Sequence, residues 1–220
     1  MPPLTNEYQV YIFDCDGVIF NSNQLKIDAM KNALQANFSD KELIENCLNY
    51  FRNNFGKSRF HHVNYFLNSI LKVSSDQIMK FNDLILNDFS NKCRDLYLSA
   101  ELTPGFAEFL EQCKGKRYVA SGSEQDELRE VFIKRDIYKL FDGVLGSPTP
   151  KSELVKEILY KENTTNAVMF GDSESDMFAA QDNGIDFVFY SPFSNVKDRM
   201  LSHCELHEYK IVDDFSKLRF

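Results

Sequence analysis

Two regimes of apolar patterning divide the chain. Val10-Tyr11-Ile12-Phe13 is a short aromatic and β-branched run of the kind that forms a buried strand, and it leads into Asp14-Cys15-Asp16-Gly17 and a further apolar pair, Val18-Ile19. From about Ser22 to Leu98 the spacing becomes helical. Ile27, Met30 and Leu34 recur three and four residues apart, and Leu67, Ile70 and Leu71 follow the same spacing. That stretch contains no proline and a single glycine, Gly56, while Ser39-Asp40 and Ser74-Ser75-Asp76 have the composition of helix starts. It predicts an insert of about four helices, closed by Leu102-Thr103-Pro104-Gly105.

Downstream the pattern alternates between the two periods. Arg117 to Ala120 reads as a strand, Glu124 to Lys134 as a helix with Leu128, Val131 and Phe132 on one face, and Gly143 to Leu145 as a short strand. Ser152 to Lys161 reads as a helix directing Leu154, Val155, Ile158 and Leu159 inward, and Ala167 to Phe170 as a strongly apolar strand. Glu174 to Asn183 is a helix stopped by Gly184, Phe187 to Tyr190 another strand, and Ile211-Val212 a last edge strand. Strands alternating with helices predict an α/β fold with a parallel sheet covered on both faces. Such sheets bind ligands beyond the carboxyl ends of their strands.

The predicted strand ends are where chemistry-bearing residues collect. Asp14-Cys15-Asp16 follows the first strand, Ser121-Gly122-Ser123 the second, and Gly171-Asp172-Ser173-Glu174-Ser175-Asp176 the fourth, with Lys151 after Pro148-Thr149-Pro150 between them. Residues two apart on a strand point to the same side, so Asp14 and Asp16 are expected to face one site. Such a pair is either a metal or proton-transfer centre, whose like charges need a cation or hydrogen bonds, or a polar turn in which Gly17 supplies an unusual backbone angle. Gathered by a parallel sheet, the acidic cluster, a hydroxyl, a lysine and exposed backbone N–H groups suit Mg2+ and a phosphoryl group.

Composition narrows the partners. A chain of 220 residues with 43% hydrophobic and 26% charged residues fits one large domain or a core with a modest insertion. A formal charge of -8 argues against non-specific binding to nucleic acid or to anionic membranes. It leaves room for small anionic substrates, which a local basic patch or a metal can hold. The five cysteines form no CxxC pair, which favours free thiols in a reducing compartment. Met1 to Gln9 is polar and lacks the basic start and apolar run of a signal peptide. No apolar stretch approaches the roughly 20 residues that span a bilayer. The expected location is the cytoplasm.

In order and spacing, the strand-end segments resemble the four motifs of the haloacid dehalogenase superfamily, whose members are mostly Mg2+-dependent phosphatases with a Rossmann-like core and a mobile cap. Asp14-Cys15-Asp16-Gly17-Val18-Ile19 looks like the first motif, DxDG with an apolar pair. Ser121 matches the Ser/Thr of the second, Lys151 the lysine of the third, and Gly171 to Asp176 the GDxxxD form of the fourth. The helical insert is similar to the four-helix cap of the phosphoglycolate phosphatase and β-phosphoglucomutase branch. Relatives often carry proline directly after the third-motif lysine, whereas Ser152 follows here, and Lys156 is the alternative lysine one turn on. The resemblance implies a three-layer, Rossmann-like α/β core from residues 1–20 and 98–220 and an inserted α-helical cap at 21–97.

It also implies roles. Asp14 would be the nucleophile that forms an aspartyl-phosphate, and Asp16 the acid and base. Mg2+ would be held by Asp14, the backbone carbonyl of Asp16 and Asp172, with Asp176 as a ligand or beside it. Ser121 and the Gly122 N–H would hold phosphoryl oxygens and Lys151 would neutralise developing charge. Dehalogenases of the family lack the acid/base carboxylate, so Asp16 with Asp172 points to phosphoryl chemistry. The expected reaction is hydrolysis of a small phosphorylated metabolite, such as a sugar or sugar-acid phosphate. A phosphosugar mutase is the nearest enzyme alternative and a catalytically silent binding module a more distant one. The protein is expected to act as a monomer or weak homodimer, without nucleic-acid or membrane partners.

In the insert, Arg52, Lys57, Arg59, His61 and His62 make a basic cluster around Gly56, and Gly56-Lys57-Ser58-Arg59 resembles the cap loop that faces the active site in relatives. Lys57 and Arg59 are therefore candidates for contact with an anionic or hydroxylated part of the substrate, the alternative being a solvated helix face. His203, Cys204 and His207 have the spacing of a transition-metal site but no evident fourth ligand. Cys15 is expected to turn away from the aspartates, and Tyr50, Phe51, Phe55 and Phe66 to pack between helices. No GxxxxGK[ST] sequence is present, so a P-loop nucleotide site is not expected.

Overall fold

The computed structural model describes residues 8–218, so most of the Met1 to Gln9 segment read above lies outside the described residues. β1 (Val10–Phe13) is followed by four helices, α1 (Asn23–Gln35), α2 (Lys41–Asn53), α3 (Arg59–Tyr65) and α4 (Ser75–Ser99), with a π-helical turn at Phe66–Ile70. Then come α5 (Phe106–Gln112), β2 (Lys116–Glu124), α6 (Gln125–Lys134), β3 (Gly143–Ser147), α7 (Lys151–Glu162) and β4 (Ala167–Gly171). The chain ends in α8 (Glu174–Asp182), β5 (Asp186–Tyr190), α9 (Lys197–His207) and β6 (Lys210–Val212).

Among the described residues the six strands form one sheet in the order β3-β2-β1-β4-β5-β6, with every pairing parallel. β1 lies in the middle, with Val10 opposite Lys116 on one side and Ala167 on the other. Its four residues are all buried because both faces of the sheet are covered, and that is why the run is continuously apolar rather than alternating. Val10 and Ile12 pack with Leu154, Ile158, Ala180 and Met200 of α7, α8 and α9, whereas Tyr11 and Phe13 pack with Phe109 and Phe132 of α5 and α6. The result is the three-layer α/β sandwich that the alternating pattern predicts. Strand order reverses beside β1, since the chain builds outward to β2 and β3 on one flank and to β4, β5 and β6 on the other. A crevice therefore opens at the carboxyl ends of β1, β2 and β4.

The four-helix insert follows from its own pattern. Asp40 caps α2 by accepting from the Glu42 and Leu43 N–H groups, and Ser74 is the N-cap of α4. Met30, Leu34, Leu48, Phe51, Leu67 and Phe89 are buried in an apolar cluster continuous with the α5 and α6 face of the sheet. Tyr50 stacks on Tyr65, and Phe51 meets Phe55 and Phe89 edge-on, so these aromatics pack the helices together. The chain enters and leaves the insert side by side: Asn21 N–H donates to the Glu101 carbonyl, Thr103 N–H to Ile19, and the Thr103 hydroxyl to Val18. Among the described residues no helix is long and apolar enough to cross a membrane.

The pleat expected to align the first-motif aspartates does not reach them, although the charge of Asp16 still acts on Asp14. β1 stops at Phe13, and Asp14 to Gly17 form a turn with Gly17 at φ +77°. The pleat that would have placed Asp14 and Asp16 on one side has ended, and their carboxylates turn to different partners.

Candidate active site

The sheet brings Asp14, Lys151, Asp172 and Asp176 together at the switch in strand order. The Asp14 N–H donates to the Phe170 carbonyl, which extends the β1–β4 pairing by one residue and fixes the aspartate beyond the strand end. Lys151, the first residue of α7, reaches back with its ammonium 2.9 Å from Asp14 Oδ1 and also pairs with Asp176 Oδ1. Asp176 lies in the first turn of α8. Its Oδ2 accepts from the Asp172 and Ser173 N–H groups at 3.2 and 3.0 Å and from the Ser173 hydroxyl at 2.7 Å. This is a capping box, and it holds Asp176 rigidly beneath Lys151. Lys156, the alternative lysine, is instead exposed beside Glu153.

Carboxylate oxygens of Asp14, Asp172 and Asp176 lie within 4.8 Å of one another, all three residues are buried, and Lys151 is the cation that bonds this group. Burial, with the charge of Asp176 added, pushes Asp14 up to about 7 against the pull of Lys151. Burial and the charges of Asp176 and Asp14 hold Asp172 well above the usual carboxylate range. Asp172 Oδ1 is buried without a hydrogen-bond partner. Three carboxylates facing one ammonium, with one oxygen unpartnered, fit a hard divalent cation in charge and in donor type.

Asp16 occupies a separate cradle. Its Oδ2 is 2.8 Å from the Lys26 ammonium and accepts from the Ser123 hydroxyl at 3.0 Å. Its Oδ1 accepts from the Ser22 hydroxyl at 2.6 Å and from the Tyr97 hydroxyl at 2.7 Å. Burial works to raise this carboxyl, but the Lys26 charge and the donors from Lys26, Ser22 and Tyr97 prevail and hold it below its ordinary value. Ser22, Lys26 and Tyr97 lie outside the motif segments of the sequence. Lys26 did leave a signal, because it stands in line with Met30 and Ala33 on the buried face of α1, where a lysine needs an anionic partner. Tyr97 left none. It continues the Phe89, Cys93 stripe of α4 and reads locally as packing.

Ser121 and Gly122 sit in the irregular end of β2, where the register with β3 shifts. Ser121 is buried, and its hydroxyl accepts from the Ser123 N–H at 3.1 Å. A side chain on Gly122 would overlap the Gly56 carbonyl, and one on Gly56 would overlap the Ser175 hydroxyl. The loop between α2 and α3 thus rests directly on the strand ends. Beside it lies a cavity of about 320 Å³, lined among others by Lys57, His61, Gly122, Lys151, Phe178 and Asp182.

The basic cluster around Gly56 is dispersed. Lys57 lines the cavity, but Arg59 does not. It is buried, 2.8 Å from Glu127 Oε2 of α6, donates to the Ser90 hydroxyl and lies over the Phe89 ring. Its position is set by that ion pair between insert and core rather than by an open site. Arg52 pairs with Glu45, and His61 meets the Tyr50 hydroxyl. His62 is buried against Phe51, and its ring is pushed down to about 3 chiefly by burial. Cys15 is buried in the core, turned into packing as expected. His203 faces Glu174 at 3.1 Å and stacks on His207, and among the described residues the metal-type grouping of His, Cys, Asp and Glu is that of Asp14, Asp172 and Asp176.

Comparison with known proteins gives a consistent result. The sequence model of the haloacid dehalogenase-like hydrolases matches residues 11–190. No curated protein sequence matches. Among solved structures, a haloacid dehalogenase-like hydrolase from Streptococcus pneumoniae superposes with a TM-score of 0.70 at 18% identity, covering 95% of each chain. CbbY from Rhodobacter sphaeroides, in complex with phosphate, gives 0.71 at 17% identity over 96% of each chain. β-Phosphoglucomutase from Clostridium difficile gives 0.68 at 18% identity over 97% of this chain and 94% of that one.

Proposed function

This chain belongs to the haloacid dehalogenase-like hydrolase family, and from that premise we propose that it is a Mg2+-dependent phosphomonoester hydrolase acting on a small phosphorylated metabolite. The observation that carries the reading is the division of labour between the two first-motif aspartates. Asp14 shares Lys151 with Asp176 beside Asp172, whereas Asp16 is held apart as an anion by Lys26. That division supports a reading in which one carboxylate acts as nucleophile and the other as proton carrier. The likeness to CbbY, solved in complex with phosphate, supports a phosphorylated ligand for this chain.

Asp14, Asp172 and the backbone carbonyl of Asp16 would hold Mg2+, with Asp176 alongside. When bound, the ion would offset the repulsion between anionic nucleophile and anionic phosphate. Asp14 attacks phosphorus through a carboxylate oxygen, the bond to the alcohol oxygen breaks, and an aspartyl-phosphate results. Lys151, with the Ser121 hydroxyl and the Gly122 N–H, stabilises charge on the phosphoryl oxygens. Asp16 gives its proton to the leaving alcohol, then takes one from the water that hydrolyses the intermediate. The Lys26-bound anion is the form suited to that second half. The first half needs Asp16 protonated, so its contact with Lys26 must loosen when substrate enters. Residues 21–97 would act as the cap over a core of residues 1–20 and 98–220. In that role Lys57, which lines the cavity, would be the cap residue that meets an anionic or hydroxylated part of the substrate, while Arg59 braces cap to core.

The test is release of inorganic phosphate across phosphorylated sugars, sugar acids and glycolate, with Mg2+ and with EDTA. Activity should require Mg2+ and vanish in Asp14→Asn. Substantial turnover by that variant refutes the nucleophile assignment. The same assay separates a phosphosugar mutase, which would need a bisphosphate activator and yield isomerised sugar phosphate in place of inorganic phosphate.

A further inference from the structure

Asn23, the first residue of α1, is buried, and both hydrogens of its amide are committed. Its Nδ2 donates to Asp172 Oδ2 at 2.6 Å and to the Phe193 carbonyl, in the segment after β5, at 2.8 Å. The backbone of Asp172 is pinned from two further sides, its N–H donating to Asp176 Oδ2 and its carbonyl accepting from the Ser194 hydroxyl at 2.6 Å. One carboxylate oxygen of Asp172 is thereby locked, and the other, Oδ1, is left buried and unpartnered. Space for this bond is made by Gly17, because a Cβ there would overlap both Asp172 Oδ2 and Asn23 Nδ2.

We propose that Asn23 is a positioning residue for the cation, orienting Asp172 so that Oδ1 faces the three-carboxylate group. The proposal rests on the metal reading above. Its physical content lies in the kind of donor. Lys151 orients Asp14 and Asp176 but also cancels part of their charge. The Asn23 amide orients Asp172 with a neutral dipole, so it fixes the direction of the carboxylate without adding a positive charge that would compete with a cation. Because Asn23 begins α1, the same bond ties the root of the helical insert to the metal-facing aspartate.

Calorimetric titration of the EDTA-treated full-length protein with Mg2+, without substrate, tests this, and Asn23→Ala and Asn23→Leu are the variants. The leucine keeps the branched shape and removes both donors. Both should raise the Mg2+ Kd about 10- to 100-fold. A tie that served only to join α1 to the Phe193 segment would lower the melting temperature in EDTA yet leave Kd within about twofold, and that result overturns the proposal. If neither variant folds, the wild-type protein decides by 15N NMR. The Asn23 side-chain amide signals should shift along the calorimetric binding curve, and their failure to move also overturns it. Asp172→Asn is the control for the underlying reading. If it binds Mg2+ like the parent, or the parent binds none, the metal assignment itself fails, separately from the role of Asn23.

Discussion

Asp14→Asn should stabilise the metal-free protein at alkaline pH while abolishing activity. In the folded state the Asp14 carboxyl is raised from 3.8 to about 7, first by burial and then by Asp176. A carboxyl raised by folding binds its proton more tightly in the folded state. Its stabilising effect is therefore complete below the unfolded value near 4, declines as pH rises, and is lost above about 7. Three units at about 1.4 kcal/mol each put the full effect at about 4 kcal/mol. Asp172 competes for the same relief, so the range to expect is about 2 to 4 kcal/mol. Asparagine resembles the protonated side chain and carries no such pH dependence. Urea unfolding in EDTA, followed by circular dichroism at pH 4.5 and pH 8, should show the variant gaining that amount on wild type between the two pH values. Mg2+ at pH 8 should then favour wild type by binding its folded form. A difference between the two proteins that stays constant across this range to within about 0.5 kcal/mol refutes the idea that crowded, uncompensated carboxylates strain the metal-free site.

Three further outcomes follow from the geometry. Asp16→Asn should lower kcat about 100- to 10,000-fold in steady-state assays while leaving the calorimetric Mg2+ Kd nearly unchanged, since only the backbone carbonyl of Asp16 is assigned to the cation. Arg59→Ala leaves Glu127 partly buried beside the insert with Arg94, 3.9 Å away, as its remaining cation, and should cost about 3 kcal/mol at most in urea unfolding, and adding Glu127→Gln should recover part of that loss. Lys57→Ala should raise KM about 10-fold for substrates with a second anionic group and change kcat little, because Lys57 lines the cavity without touching Asp14 or Asp16 in the structure.

The sequence made the sheet legible because β1, β4 and β5 are buried on both faces and so carry uninterrupted apolar runs. It made Asp14, Lys151 and Asp172 legible as candidates because strand ends in a parallel sheet converge wherever the chain places them. Two kinds of information stayed hidden. The turn at Asp14 to Gly17 depends on where β1 stops, and an apolar run that resumes at Val18-Ile19 does not mark that point. Side-chain partners across the insert, such as Tyr97 on Asp16 or Glu127 on Arg59, depend on how four helices dock, and helical periodicity records only which face is buried. Arg59 shows the consequence. Its place in a basic loop suggested a ligand, whereas docking placed a glutamate of α6 against it.

The insert is therefore part of the candidate site itself. Ser22 and Lys26, at the start of α1, hold Asp16, and Asn23 between them holds Asp172, so a single helical turn reaches two of the motif aspartates. From the far end of the insert, Tyr97 of α4 closes over Asp16 beside Ser123 of β2. The entering and leaving connections run paired at Asn21 and Thr103, so α1 and α4 are rooted at the same place. A tilt of the insert about that root would alter the partners of Asp16 and Asp172 together. Loosening Lys26 and Tyr97 leaves Asp16 a buried carboxylate without its cation, the condition that raises a carboxyl's affinity for a proton. That is the change an acid role for Asp16 requires, and under the proposed function it would tie the protonation of Asp16 to the position of the helices beside it.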